Sequence, residues 1–325
     1  MLKKVDGFIM GLIAMIILAY FIPGIGDGES FNLENITNIG ISLIFFFYGL
    51  KLSPQNMKKG LINYKLHILI QLTTFVIFPL LVLCFKPFVT TEEQNLLWLA
   101  LFFMAALPST VSSSVVMVSI AKGNIPGAIF NASISGLIGI LITPLWIGIF
   151  MHSGTHEFDL GQSVIDLIIK ILLPVIVGLL LNRYWGKTAR KYGRYLTLFD
   201  KSIILAIVYN SFSKSFEAQL FDTIKLPYLL VCAAAIIIVF TAIYLLVYWL
   251  TTKLNFSQED KVTALFCGSK KSLVHGSVMA NVLFKDMATQ GIFILPIMIY
   301  HSLQLIVISF IAQKMGRKTN LKQSN

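Results

Sequence analysis

The sequence predicts an all-α polytopic membrane protein, with ten transmembrane helices arranged as two inverted five-helix repeats. Three observations predict it: apolar runs long enough to cross a bilayer, lysines and arginines gathered in alternate connections, and polar interruptions at matching places in two of the runs.

Of 325 residues, 56% are hydrophobic and 13% charged, with a mean hydropathy of +0.80, whereas soluble domains carry about 25% charged residues. Crossing a hydrocarbon core takes about 20 mainly apolar residues, and only helices or closed barrels satisfy their backbone groups there. These runs are too long and continuous for barrel strands. They place spans at Phe8 to Ile25, Ile36 to Leu52, Leu66 to Phe85, Leu96 to Ile120, Ile125 to Met151, Val164 to Leu181, Ser202 to Phe216, Leu226 to Leu250, Val262 to Phe284 and Gly291 to Ala312. Lys3 and Lys4 ahead of an apolar stretch resemble a signal peptide, but no A-x-A-like cleavage site follows, so this stretch reads as an uncleaved first helix.

The net charge is +11, and nineteen of the 26 basic residues fall in one set of alternate connections. The other set holds only Lys86, Lys214, Lys225 and Lys285, while Lys170, Lys270 and Lys271 lie inside spans. Positive connections stay cytoplasmic, which predicts a multi-pass plasma-membrane protein with both termini in the cytoplasm. Charge spaced in this way reports orientation in a lipid bilayer and gives no footprint for nucleic acid. The three cysteines, Cys84, Cys232 and Cys267, lie in apolar stretches without CxxC spacing and read as small packing residues.

A basic connection, Asn182 to Lys201, divides the chain near its middle. The expected organisation is a single integral membrane domain made of a first repeat over 1–160 and a second over 161–314, followed by a basic cytoplasmic tail over 315–325. Five is an odd number of spans, so a duplicated unit must lie upside down relative to its twin. Tyr48 to Ser53 and Tyr209 to Lys214 lie 161 residues apart, and Pro108 to Ser114 and Gly268 to His275 share about that offset.

These interruptions carry the chemistry. In span four, Pro108 precedes Ser109, Thr110, Ser112, Ser113 and Ser114. Proline removes a helical hydrogen bond and clashes with the preceding turn. Either the helix kinks and the serines bond back to carbonyls one turn earlier, or it unwinds and its freed groups line a cavity. In span nine, Gly268-Ser269-Lys270-Lys271-Ser272 puts two lysines some ten residues from either helix end, about 15 Å from the interface at ~1.5 Å per residue. A lysine snorkels only part of that distance, and each charge there costs on the order of 3 kcal/mol. The nearest intramembrane carboxylate, Asp166, has Lys170 one turn away. An electropositive cavity follows, with an anionic substrate as the countercharge, helped by the positive end of the half-helix after the break. The alternative is one lysine held by carbonyls and the other without its charge.

Gln71, Asn131, Ser133, Ser135, Asn210, Ser211, Cys267, His275, His301 and Gln304 are further polar groups inside spans, serving as ligands or as interhelical glue. His67 falls near the cytoplasmic end of span three, and His152 and His156 fall in a connection, with no set of metal ligands at hand.

Several segments together resemble the bile acid:sodium symporter family, and more closely its symporter-like branch, which includes the orphan seventh member of vertebrate solute carrier family 10. They are Phe46 to Leu50, Lys65-Leu66-His67 with Gln71, Ser112 to Ser114 with Gly123-Asn124, Ala128 to Asn131, Phe266 to Leu273 and Ile299 to His301. The resemblance implies a panel domain from spans one, two, six and seven and a core domain from the other six, in which broken spans four and nine cross. Sodium-coupled relatives carry a glutamate and a glutamine in the second crossing, where this sequence has Phe266 and Lys270. A lysine ammonium in the electrostatic place of sodium is the corresponding hypothesis. Ser302 follows His301 where the branch has proline, so span ten is expected to begin with a less rigid turn.

The candidate substrate or ion contacts are Gln71, Ser112, Ser113, Ser114, Asn131, Ser135, Lys270, Lys271, Ser272, His275, His301 and Gln304. No cofactor is expected, and Na+ or H+ is the candidate coupling ion. A carrier of a small organic anion is the leading reading, with an anion channel or a membrane receptor as the alternative. An enzyme would need a motif such as HExxH, paired aspartates or Gly-x-Ser-x-Gly, and none occurs.

Overall fold

A computed structural model describes residues 7–25, 27–28, 31–52, 63–151, 160–223, 225–284 and 287–323. His152 and His156 lie outside the described residues. Among the described residues the fold is all-helical except for an antiparallel hairpin of two residues per strand, β1 (Asp27–Gly28) and β2 (Phe31–Asn32).

The helices are α1 (Gly7–Phe21), α2 (Leu33–Lys51), α3 (Tyr64–Leu72), α4 (Phe78–Leu83), α5 (Glu92–Ala106), α6 (Ser112–Ile120), α7 (Ile125–Met151) and α8 (Leu160–Leu167). They continue with α9 (Leu173–Lys191), α10 (Gly193–Glu217), α11 (Leu220–Thr223), α12 (Leu226–Lys253), α13 (Gln258–Gly268), α14 (Leu273–Leu283) and α15 (Gln290–Gln323). A π-turn at Thr73–Ile77 joins α3 to α4, and another at Ile168–Leu172 joins α8 to α9.

Among the described residues, six helical stretches are long and apolar enough to cross a membrane: Leu33–Lys51, Tyr64–Phe88, Ile125–Met151, Val164–Lys191, Leu226–Lys253 and Gln290–Arg317. The other four sequence-expected spans have physical reasons to differ. Span one is a 15-residue helix, α10 carries Arg194, Asp200, Lys201, Lys214 and Glu217, and spans four and nine are each divided into two short helices.

Two of the basic segments prove to be helical. The segment from Asn182 to Lys201 is helical: α9 runs to Lys191 and α10 restarts at Gly193, with only Tyr192 between them. Lysine, arginine and alanine are good helix formers, so loss of hydropathy marks where the helix leaves lipid and not where it ends. The basic tail likewise continues α15 as far as Gln323.

Contacts divide the chain into two compact units, each drawing on both halves of the sequence. The first comprises 1–53, 151–226 and 277–295. Within it α2 lies directly against α9. A Cβ on Gly49 would stand 2.2 Å from the Val175 carbonyl oxygen, and one on Gly178 would stand 2.2 Å from that of Phe46. Small residues let membrane helices approach this closely. Tyr209 donates to the Ile22 carbonyl at 2.6 Å, tying α10 to the end of α1. Ion pairs Lys51–Asp200 at 3.4 Å and Lys214–Glu34 at 3.0 Å fasten α2 to α10.

The second unit comprises 54–150, 227–276 and 296–325. Trp98, Phe102, Trp146 and Phe150 form an aromatic core between α5 and α7, with ring centroids 4.8 to 5.8 Å apart. At one end of this unit three helices begin around a single carboxylate. Asp260, in the first turn of α13, accepts from the side chains of Asn63 at 2.5 Å and Asn124 at 2.8 Å. Those asparagines cap α3 at Leu66 and the start of α7 at Gly127, so one negative charge serves three positive helix ends.

Candidate functional site

The site is built by unsatisfied backbone, and all of its groups belong to the second unit. α5 stops at Ala106 because Pro108 has no N–H to continue it, and α6 resumes at Ser112. α13 stops at Gly268, and α14 resumes at Leu273. The two breaks touch. Ser272 N donates to the Pro108 carbonyl at 2.9 Å, and the Ser109 hydroxyl donates to the Cys267 carbonyl at 2.6 Å. Ser109 N in turn donates to the Ser135 hydroxyl at 3.0 Å.

A helix end leaves its last four carbonyls without intrahelical partners. At the end of α5, Met104 O accepts from Leu107 N, and Ala106 O accepts from the Thr143 hydroxyl at 2.8 Å. The others meet Lys271. Its ammonium donates to the carbonyls of Ala105 at 2.6 Å, Leu107 at 2.8 Å and Thr74 at 2.8 Å, and lies 4.1 Å from the Phe78 ring centroid. Thr74 O is available because the π-turn sends Phe78 N to Thr73 O, and the next residue, Pro79, has no N–H. The carbonyl beside it, Phe75 O, accepts from the Trp146 indole at 2.8 Å. Lys271 is thus a cation in a cage of carbonyls, at the negative end of a helix.

The backbone of the second break is held from α15. Gln304 accepts from Lys271 N and donates to Lys271 O, both at 2.8 Å, and Tyr300 donates to Ser269 O at 2.7 Å. His301 pairs with Gln304 at 2.9 Å. His301 and Ser302 lie inside α15, and Ser302 bonds back to Met298 O at 2.9 Å. The expected looser turn at Ser302 is therefore absent, since a serine there keeps the N–H and the continuous helix that a proline would interrupt.

Lys270 is placed differently. It is fully buried, yet its ammonium meets the Ser113 hydroxyl at 3.4 Å and takes part in none of the ion pairs among the described residues. From Ser113 the hydrogen bonds continue to Thr110 at 2.9 Å and from Thr110 to Ser114 at 2.7 Å. Ser112 lies at the start of α6, and its side chain is outside the described residues. Among the described residues no side chain caps the N-terminus of α6. The N-terminus of α14 is closed instead: Ser272 accepts from His275 N at 3.2 Å and pairs with the imidazole at 2.9 Å. The helix end without a side-chain cap is that of α6, whereas the half-helix after the span-nine break, whose positive end the sequence suggested, carries one. A cap at Ser272 makes the difference.

Of the sequence candidates, Ser113, Ser114, Ser135, Lys270, Lys271, Ser272, His275, His301 and Gln304 join the crossing through the bonds above. Gln71 and Asn131 form a separate cluster between α3 and α7. Gln71 donates to the carbonyl and side-chain oxygens of Asn131 at 3.2 Å, and Asn131 meets His67 at 2.8 Å. The sequence reading missed Thr143, Tyr300 and the Thr74 carbonyl. Pro79, inside an apolar run, was the available signal for the last. Among the described residues no group of three or more His, Cys, Asp or Glu could hold a metal.

Comparison with known proteins gives the chain's relatives. Residues 6–317 match the model of the SBF-like CPA transporter family. An uncharacterized protein of Pseudomonas aeruginosa is 37% identical over 313 residues, covering 96% of this chain and 93% of that one. YfeH of Escherichia coli is 32% identical over 322 residues, covering 99% and 96%. Sodium/bile acid cotransporter 7 of Danio rerio is 28% identical over 309 residues, covering 93% and 91%.

Proposed function

Because this chain belongs to the SBF-like CPA transporter family, and so is a multi-pass membrane transporter and not an enzyme, we propose that it carries a small organic anion by alternating access. The observation that supports this reading is Lys270, a buried ammonium with no carboxylate partner among the described residues, set beside Ser113 and the uncapped N-terminus of α6. An ammonium, a hydroxyl and a helix N-terminus together favour a carboxylate or a sulfonate.

Lys271 has a second role in this proposal. Three carbonyls within 2.8 Å and an aromatic face are the surroundings of a bound monovalent cation, and here the ammonium already fills them. Sodium belongs to the names of some relatives; in this chain the carbonyls that would face such an ion are taken. Transport is then either independent of sodium or coupled to H+ through Lys270. Ten spans as two inverted repeats, a panel and a core, and a plasma-membrane location with both termini cytoplasmic complete the proposal. The shared hydrogen bonds of the two breaks and the lopsided basic connections support it.

A thermal-shift panel of carboxylates, sulfonates and steroid acids on detergent-purified protein selects the anion for uptake into proteoliposomes. Equal, saturable uptake with and without a sodium gradient is expected. Strict sodium dependence would remove the role given to Lys271, and ohmic flux would replace the carrier by a channel.

A further inference from the structure

Away from the crossing, the second unit contains a cavity of about 230 Å3 that no transport role uses. Phe85, Phe88, Trp98 and Leu101 line it from one stretch of chain, and Tyr228 and Cys232 line it from the first turns of α12. Gln94 also borders it, but its side-chain oxygen is occupied by the backbone of Thr90 at 2.8 Å in the cap of α5. The rim is apolar and open: of the lining residues, Phe88 is 79% exposed and Val231 65%. In a chain that spans a bilayer such a rim faces lipid, and a tryptophan and a tyrosine together mark the headgroup level.

Charge identifies the lipid. Of the four lysines in the lysine-poor set of connections, Lys285 is outside the described residues and Lys214 is paired with Glu34 at 3.0 Å. The remaining two are close in the chain to residues that line this cavity, Lys86 next to Phe85 and Lys225 three residues before Tyr228. The Lys86 ammonium lies 4.5 Å from the Trp98 ring centroid and donates one hydrogen bond to the Asn95 side-chain oxygen, a neutral partner that leaves its charge and its other N–H groups for an anion, and Lys225 immediately precedes α12. Neither is in an ion pair among the described residues. Glu92 and Glu93 occupy the first turn of α5, where they complement that helix's own positive end.

We propose that this cavity holds one acyl chain of an anionic phospholipid, with Lys86 and Lys225 binding the headgroup phosphate. It is tested by tryptophan quenching in a Trp185→Phe, Trp249→Phe variant, which keeps Trp98 in the cavity wall. The variant is reconstituted in phosphatidylcholine containing a minor fraction of lipid with brominated tails. Brominated phosphatidylglycerol is expected to quench more than brominated phosphatidylcholine at the same mole fraction. That excess is expected to vanish in Ala235→Phe, which fills the cavity, and its apparent affinity to fall about fivefold for each of Lys86→Gln and Lys225→Gln. Equal quenching by the two phospholipids, an excess that survives Ala235→Phe, or an equal effect from a brominated free fatty acid would overturn the proposal. As a second readout, native mass spectrometry of the unmodified protein after delipidation and add-back should retain one phosphatidylglycerol, and complete loss of lipid would also overturn it.

Discussion

Two adjacent lysines with the same burial do different things because their side chains leave the backbone at a break. Lys271 meets three carbonyls and Lys270 meets one hydroxyl. Replacing Lys271 with methionine keeps the length of the side chain but leaves Ala105, Leu107 and Thr74 carbonyls without a donor. Each buried orphan costs ~1–3 kcal/mol, so thermal unfolding in detergent should show a loss of at least about 2 kcal/mol. Lys270→Met should leave the unfolding midpoint near that of the wild type, because only a long hydrogen bond is removed. The presence of two stranded ammonium groups was legible in the sequence from their distance to either helix end. Which one is caged was not, since the cage comes from Thr74 and Ala105, nearly 200 and more than 160 residues away in the chain, and depends on a π-turn that hydropathy does not register.

At the scale of elements, helix ends and helix contacts carry the predictions. Asp260→Ala strips an acceptor from Asn63 and Asn124 at the starts of α3 and α7. It should destabilise the protein by ~1–3 kcal/mol, whereas Glu259→Ala in the same turn should cost less in the same unfolding assay. Gly49→Ala puts a methyl 2.2 Å from a backbone oxygen, which no side-chain rotation relieves. Forcing α2 from α9 should cost ~1–3 kcal/mol, while Gly7→Ala, with nothing within 4 Å, should be neutral. The breaks themselves were readable from Pro108 and from Gly268 to Ser272. The staples that hold them open, Thr143 and the Tyr300–Gln304 pair, were not distinguishable from ordinary interhelical polar residues. The two helices that meet at Tyr192 leave no mark in hydropathy, because charge and helix propensity point in opposite directions there.

At the scale of the molecule, the proposed function rests on a division of labour between Lys271, held by three carbonyls, and Lys270, which meets one hydroxyl. The apolar runs and alternate basic connections announced a membrane protein directly. The grouping of distant segments into two units depends on contacts between residues far apart in sequence. The most direct measurement is anion-dependent thermal stabilisation of detergent-purified wild type, Lys270→Gln and Lys270→Arg over the carboxylate and sulfonate panel. Stabilisation that is lost in Lys270→Gln and kept in Lys270→Arg, with all three proteins folded, is the expected result. Stabilisation of Lys270→Gln equal to that of the wild type would contradict an anion site at Lys270.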